Sequence, residues 1–180
     1  IPPIPKNIKK KDIEKWQKRN VIASLKNLKI KKFDCLLLHD AKCLLSKNAI
    51  EIYKGIKNIK KNGFTNKIGI SIYDFEVLDK ILKKFKFDLI QAPFNILDRR
   101  LLESGWLEKL KKRNIEVHAR SIFLQGILVD RHNQLSEKFN KLSQILKRWK
   151  NWLKKNRLNP LQACLVYVLN QRQLDGVVIG

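Results

Sequence analysis

Four polar stops in this sequence occupy the same kind of place. His39, Ser71, Gln91 and the pair Arg120-Ser121 each follow directly on a short apolar run. His39 closes the run F-D-C-L-L-L-H-D at 33–40. As a neutral imidazole it can donate a hydrogen bond to a substrate carbonyl and polarise it. The alternative is a packed histidine bonded to a neighbouring carbonyl, and Asp40 either tunes the ring or opens the next loop. Ser71 and Gln91 offer a hydroxyl and a carboxamide, which together satisfy the donors and acceptor of a nicotinamide carboxamide. Taken singly, each serves loop backbone equally well. Arg120 can lie flat against a ring, bind an anion, or pair with a carboxylate at the rim.

Other candidates carry less chemistry. Asp98, ahead of Arg99-Arg100-Leu-Leu, reads as a helix N-cap with two surface arginines behind it, and Asn95 precedes them. Tyr73 lies just beyond Ser71 and reads as rim packing, with Asp74 starting a helix. Gln125-Gly126 reads as a tight turn. His118 falls inside an apolar run and His132 in a polar loop, and neither is given a function. Cys35, Cys43 and Cys164 are odd in number and lack paired ligand spacing. Free thiols in a reducing cytoplasm are expected, with no disulfide framework and no metal site.

Strands are what must present such polar stops. Runs at 33–38, 67–71, 87–91, 115–119 and 177–179 are apolar and too short for helices. Between them the spacing is helical. Asp12 is placed to cap a helix carrying Ile13, Trp16, Val21, Leu25 and Leu28. Leu78, Ile81, Leu82 and Phe85 mark one face of another. Phe139, Leu142, Leu146, Trp149 and Leu153 form an apolar stripe, with Lys147, Lys150 and Lys154 off it. Asn62-Gly63 supplies a left-handed helix end before the second strand. Alternation of this kind predicts parallel strands joined by crossover helices. No G-x-G-x-x-G follows an early strand, as a doubly wound dinucleotide fold would normally show. In a βα-barrel the strands' C-terminal ends share one mouth, where active sites sit, so four polar stops favour the barrel.

Composition sets the frame. With 180 residues, 44% of them hydrophobic, the chain can build a sizeable core in one domain. No apolar run approaches the ~20 residues of a membrane span, and the opening I-P-P-I-P lacks a secretory layout. The absence of methionine and the start on Ile1 suggest a fragment. The formal net charge of +23 comes from 39 basic against 16 acidic residues. The lysines are scattered over every helical segment, without interleaved aromatics on one segment. A solvated basic surface is therefore expected, with salt-sensitive attraction to polyanions and no specific nucleic-acid site.

The ordered set of motifs resembles the aldo-keto reductase family. S-L-K-N-L at 24–28 leads into D-C-L-L-L-H at 34–39, then Gly63 and K-I-G-I-S at 67–71. Q-A-P-F-N at 91–95, R-S-I-F-L-Q-G at 120–126 and V-V-I-G at 177–180 follow in family order. The resemblance, closest to a bacterial branch, implies a (β/α)8 TIM-barrel type of fold. It implies hydride transfer from NADPH to an aldehyde or ketone, a small-molecule carbonyl substrate. His39 matches the histidine that orients the carbonyl; Ser71 and Gln91 match residues holding the nicotinamide carboxamide. The Asn that usually follows the Ser is Ile72 here. The aromatic that usually stacks on the nicotinamide is Arg120, whose guanidinium can stack in its place. The family's first three strands, with its Asp, Tyr and Lys, would precede Ile1, and a phosphate-gripping segment would follow Gly180. Residues 1–180 are thus expected to be a single partial barrel domain, about strands four to eight with their helices. An inactive isolated chain that self-associates through exposed barrel edges is expected. A non-catalytic binding module and a basic nucleic-acid binder are the competing functions.

Overall fold

The computed structural model describes residues 1–5, 7–129 and 140–179. Phe139, His132 and Gly180 lie outside the described residues. Five strands form: β1 (Phe33–Leu38), β2 (Thr65–Ser71), β3 (Leu89–Pro93), β4 (Glu116–Arg120) and β5 (Gly176–Val177). The helices between and before them are α1 (Ile13–Leu28), α2 (Ala49–Lys61), α3 (Phe75–Leu82), α4 (Arg100–Glu103), α5 (Trp106–Lys112), α6 (Asn140–Lys155) and α7 (Pro160–Leu169). The sheet is all parallel and runs β1-β2-β3-β4-β5 in chain order. A sequential order without reversal has no switch point, as in a stretch of βα-barrel and unlike a doubly wound sheet.

Register fixes the two faces. Paired residues Ile70, Ile90 and Val117 share one face, which packs with Ile52, Ile56, Leu78, Ile81, Leu107 and Leu110 in the main core. The opposite face carries Cys35, Leu37, Lys67, Gly69, Ser71, Leu89, Gln91, Glu116, His118 and Arg120. It is polar for most of its length. At the strands' N-terminal ends Lys67 pairs with Glu116 at 2.9 Å and with Asp34 at 3.4 Å. Gly69 sits where a Cβ would come 2.6 Å from Leu37 Cδ2 and closer still to the Leu89 carbonyl oxygen.

A repeated device closes the ladder at that end. Ahead of β3, Asp88 N donates to Ile68 O at 2.9 Å while its carboxylate accepts Ile68 N–H at 2.8 Å and Lys60 Nζ at 2.7 Å. Ahead of β5, Asp175 N donates to Val117 O at 2.9 Å, and its carboxylate accepts Val117 N–H at 2.8 Å and Lys111 Nζ at 2.7 Å. Each aspartate gives partners to a strand N–H that the next strand begins too late to reach.

Several sequence expectations need correction. Asp12 occupies the N-cap position of α1 but makes no side-chain capping bond. Gln17, not Trp16, joins Ile13, Val21 and Leu25 as a buried residue, and Leu28 is 61% exposed. Phe85 is buried but lies beyond the end of α3. The third strand begins at Leu89 rather than 87, because Phe87 is used in the core beside Tyr53. Asp98 is not a cap: the N-cap of α4 is Arg99, and the Asp98 carboxylate binds Arg100 through Nε and Nη2 at 2.8 Å each. The Asn62-Gly63 helix end is as expected, with Gly63 at φ 80°. The described part of the long stripe on α6 buries Leu146, Trp149 and Leu153.

Candidate active site

β1, β2, β3 and β4 deliver His39, Ser71, Gln91 and Arg120 to the same end of the sheet, and register keeps them on the face opposite the main core. Ser71 pairs directly with Gln91, Gln91 with His118, and Pro93 with Arg120. His39 is the residue after β1 and is exposed. It borders two adjoining cavities that share Ser71. One, about 470 Å³, is also lined by Ile72, Tyr73 and Asp74; the other, about 370 Å³, by Gln91, Cys35 and Leu37. A cavity of about 550 Å³ on the outer flank of α1, around Ile8, Trp16 and Ile22, is larger. Its polar groups are separate surface charges rather than converging strand ends, so it does not displace the strand-end site.

The loops around this end are held by specific bonds. Asp40 and Asp74 are both engaged as caps, accepting Lys42 N–H at 3.0 Å and Glu76 N–H at 2.8 Å. Asp40 is therefore a loop residue in this arrangement. Asn95, fully buried, is the residue sequence reasoning undervalued. Its Oδ1 accepts Leu97 N–H at 2.9 Å and Asp98 N–H at 2.8 Å, and its Nδ2 donates to Ser121 O at 3.0 Å. It thereby ties the loop after β3 to the one after β4, where Ser121, Leu124 and Gln125 all adopt left-handed φ values near 50°. The spacing N-x-L-D is the signal that an Asx turn leaves in sequence.

Arg120 is the most constrained group at the mouth. Its Nε donates to Ser71 Oγ at 3.2 Å, Nη1 to Ser121 Oγ at 3.1 Å and Nη2 to Ile72 O at 3.0 Å. One face of the guanidinium lies 3.8 Å from the centroid of the Tyr73 ring. Tyr73, 58% exposed, is thus a rim residue whose packing partner is Arg120. Ser71 is 3% exposed and accepts from Arg120, which leaves its own O–H free to donate.

Gln91 and His39 make no side-chain hydrogen bond among the described residues. Gln91 therefore offers two donors and one acceptor beside the Ser71 hydroxyl, and this donor set fits a carboxamide. His118 lies against the next strand: a Cβ on Gly176 would fall 2.8 Å from its ring. Among the described residues no group of three His, Cys, Asp or Glu side chains could hold a metal ion, and no helix is long and apolar enough to cross a membrane.

Comparison with known proteins now bears on this geometry. The aldo-keto reductase AKR11C1 from Bacillus halodurans shares 22% identity in its holo form, over 95% of this chain and 57% of that one, with a TM-score of 0.72. Its apo form gives 24% identity, 93% and 58% coverage and a TM-score of 0.75. The glycerol dehydrogenase AKR11B4 from Gluconobacter oxydans gives 19% identity, 98% and 59% coverage and a TM-score of 0.69. These likenesses carry the fold, and the chain spans under three fifths of the length of each of these three structures. No curated protein matches. The family model for the aldo/keto reductase family matches residues 3–180, nearly the whole chain, and the chain belongs to that family.

Proposed function

We propose that residues 1–180 form a single partial domain, about strands four to eight of a (β/α)8 barrel. The whole would be a cytoplasmic, NADPH-dependent oxidoreductase that reduces an aldehyde or ketone. The observation that carries this is the unpartnered pair His39 and Gln91 flanking the Ser71 hydroxyl at one end of a parallel sheet. Two structural relatives are named as a reductase and a glycerol dehydrogenase, which supports a redox reaction.

In this reading Ser71 and Gln91 hold the nicotinamide carboxamide, the hydroxyl donating to its carbonyl and the Gln91 side chain matching its amide. When bound, the reduced nicotinamide supplies the hydride. His39 donates to the substrate carbonyl oxygen and fixes its orientation, so that developing negative charge meets a positioned donor. Arg120, with one face on Tyr73, would stack its other face on the nicotinamide ring. Asn95 keeps the Arg120 loop in place through Ser121. None of the described residues at the mouth is placed as a paired proton donor to the carbonyl, and lack of a general acid typically costs ~10²–10⁴-fold in rate. The isolated chain is therefore inactive and self-associates through the open edges of β1 and β5.

Fluorescence titration of the chain with NADPH tests the carboxamide site. Ser71→Ala and Gln91→Leu should each weaken binding by about tenfold, the loss of one or two buried hydrogen bonds. Equal affinity in both variants and wild type would remove these residues from the cofactor site. NADPH oxidation by the chain above a His39→Ala control would overturn the inactivity.

A further inference from the structure

We infer that Arg120 is a carboxylate-binding residue, and that the carbonyl compound taken at this mouth is an oxo acid. A guanidinium has five N–H donors. Three are used, on Ser71 Oγ, Ser121 Oγ and Ile72 O, and none of these acceptors is charged. One N–H remains on each of Nη1 and Nη2, the two nitrogens of the end-on fork that receives both oxygens of a carboxylate. The plane of that fork is fixed by three bonds and by the Tyr73 ring at 3.8 Å. Little rotamer freedom is then left to lose when an anion binds, which favours affinity.

Behind Arg100, the Arg120 charge also acts on the Asp98 carboxyl, whose pKa it helps to lower, without an ion pair forming between them. Among the described residues no carboxylate is paired with Arg120. Asp98 spends both oxygens on Arg100. Asp40 and Asp74 are held by backbone N–H groups of their own loops. Ser71 links this fork to the proposed carbonyl site, since it accepts from Arg120 and shares two cavities with His39. A ligand with a carbonyl at His39 and a carboxylate at Arg120 is a small oxo acid. That substrate class rests on the role of His39 proposed above, whereas the fork does not.

Calorimetric titration of the chain at fixed ionic strength with 2-oxobutyrate, butyrate and butanone separates the two. The expected order of affinity is 2-oxobutyrate, then butyrate, then butanone. Arg120→Gln weakens both acids tenfold or more and leaves butanone unchanged; Arg120→Lys, a cation without the fork, recovers part of the loss. His39→Ala weakens 2-oxobutyrate and butanone but not butyrate. If Arg120→Gln melts below the assay temperature, Arg120→Lys carries the comparison.

Unchanged acid binding in a folded Arg120 variant overturns the inference, and so does failure of all three probes to bind. Arg120-dependent butyrate binding with no effect of His39→Ala upholds the fork and sinks the carbonyl role of His39. An inorganic pyrophosphate arm settles the source of the anion. If pyrophosphate displaces butyrate and depends more strongly on Arg120, the fork serves a phosphate and the oxo-acid assignment falls.

Discussion

Asp88 should be worth more to stability than any surface ion pair of this protein, and the reason is not its lysine. Asp88→Ala removes two contacts of different character. The first is the charge-assisted bond from Ile68 N–H at 2.8 Å, made beside a residue that is 4% exposed. Such bonds contribute ~1.5–3 kcal/mol, because the donor left behind has no replacement partner. The second is the Lys60 pair at 2.7 Å, whose side chains are 39% and 36% exposed. At that exposure the pair is screened and worth ~0.2–1 kcal/mol. Together the loss is about 2–4 kcal/mol, or a fall in Tm of roughly 5–12 °C for a chain of this size. Asp88→Asn keeps an acceptor for Ile68 N–H and should recover at least half of it. Lys60→Ala should cost under ~1 kcal/mol. Urea and thermal unfolding of dilute protein, followed by far-ultraviolet circular dichroism, gives all three values. If Asp88→Ala stays within about 0.5 kcal/mol of wild type, or Lys60→Ala costs as much as Asp88→Ala, the N–H bond is not what matters.

Gly69→Ala should cost at least ~2 kcal/mol in the same unfolding assay, since its Cβ would meet the Leu89 carbonyl oxygen as well as Leu37 Cδ2; Leu37→Ala should not rescue it, because the carbonyl remains. Burial pushes the Cys35 and Cys43 thiols up to about 12 from 9.0, with Asp34 adding to the first and Asp40 to the second. Alkylation by iodoacetamide at mildly alkaline pH should therefore be slower than in the urea-unfolded chain by roughly a thousandfold, and equal rates would refute the burial. The Asp98 carboxyl is held below the usual range by Arg100; at Asp175 burial alone would raise it, and Lys111 and Val117 N–H outweigh that. Both have folded values below their unfolded ones, so their stabilisation is present above about pH 4 and lost as pH falls further. Asp175→Asn should shrink the acid-induced drop in Tm over that window, and an unchanged drop would count against the assignment.

Where one cause dominated locally, the sequence was readable. β1 runs from Phe33 to Leu38 as expected, because a run of apolar residues between lysines and a histidine allows few alternatives. Errors arose where a residue's hydrophobicity served something other than its own element. Phe87 is apolar for the sake of Tyr53 and the core, so it extended the third strand by two residues on paper. Gln17 is the converse, a polar residue on the buried row of α1, donating to Ile52 O at 3.2 Å. The repeated aspartates were visible as F-D at 33–34, F-D at 87–88 and L-D at 174–175, but only the ladder geometry shows that two of the three close it. At the mouth, the four polar stops could be found by counting along strands. The Arg120–Tyr73 stack and the Asn95–Ser121 bond join residues 47 and 26 apart, and no pattern along the chain announces them.

The two ends of the sheet therefore answer to different demands. At the N-terminal ends, Asp88, Asp175 and the Lys67–Glu116 pair spend their charges on backbone donors and on each other. Each of these charges has a partner within the chain, and the physical effect is to fix register. At the C-terminal ends, His39 and Gln91 make no side-chain hydrogen bond among the described residues, and Arg120 keeps two donors in reserve. His39 is exposed and Gln91 half-buried, so solvent satisfies them, and their place opposite the paired charges is where a ligand can be met at little cost in stability. Oppositely directed effects of mutation are the consequence. Replacing Gln91 by Leu should leave Tm unchanged or raise it while removing a donor set, whereas replacing Asp88 lowers Tm and leaves the mouth's chemistry in place. A Gln91→Leu variant that lost several degrees of Tm would show that its amide is structural after all, and the carboxamide site proposed here would lose its central residue.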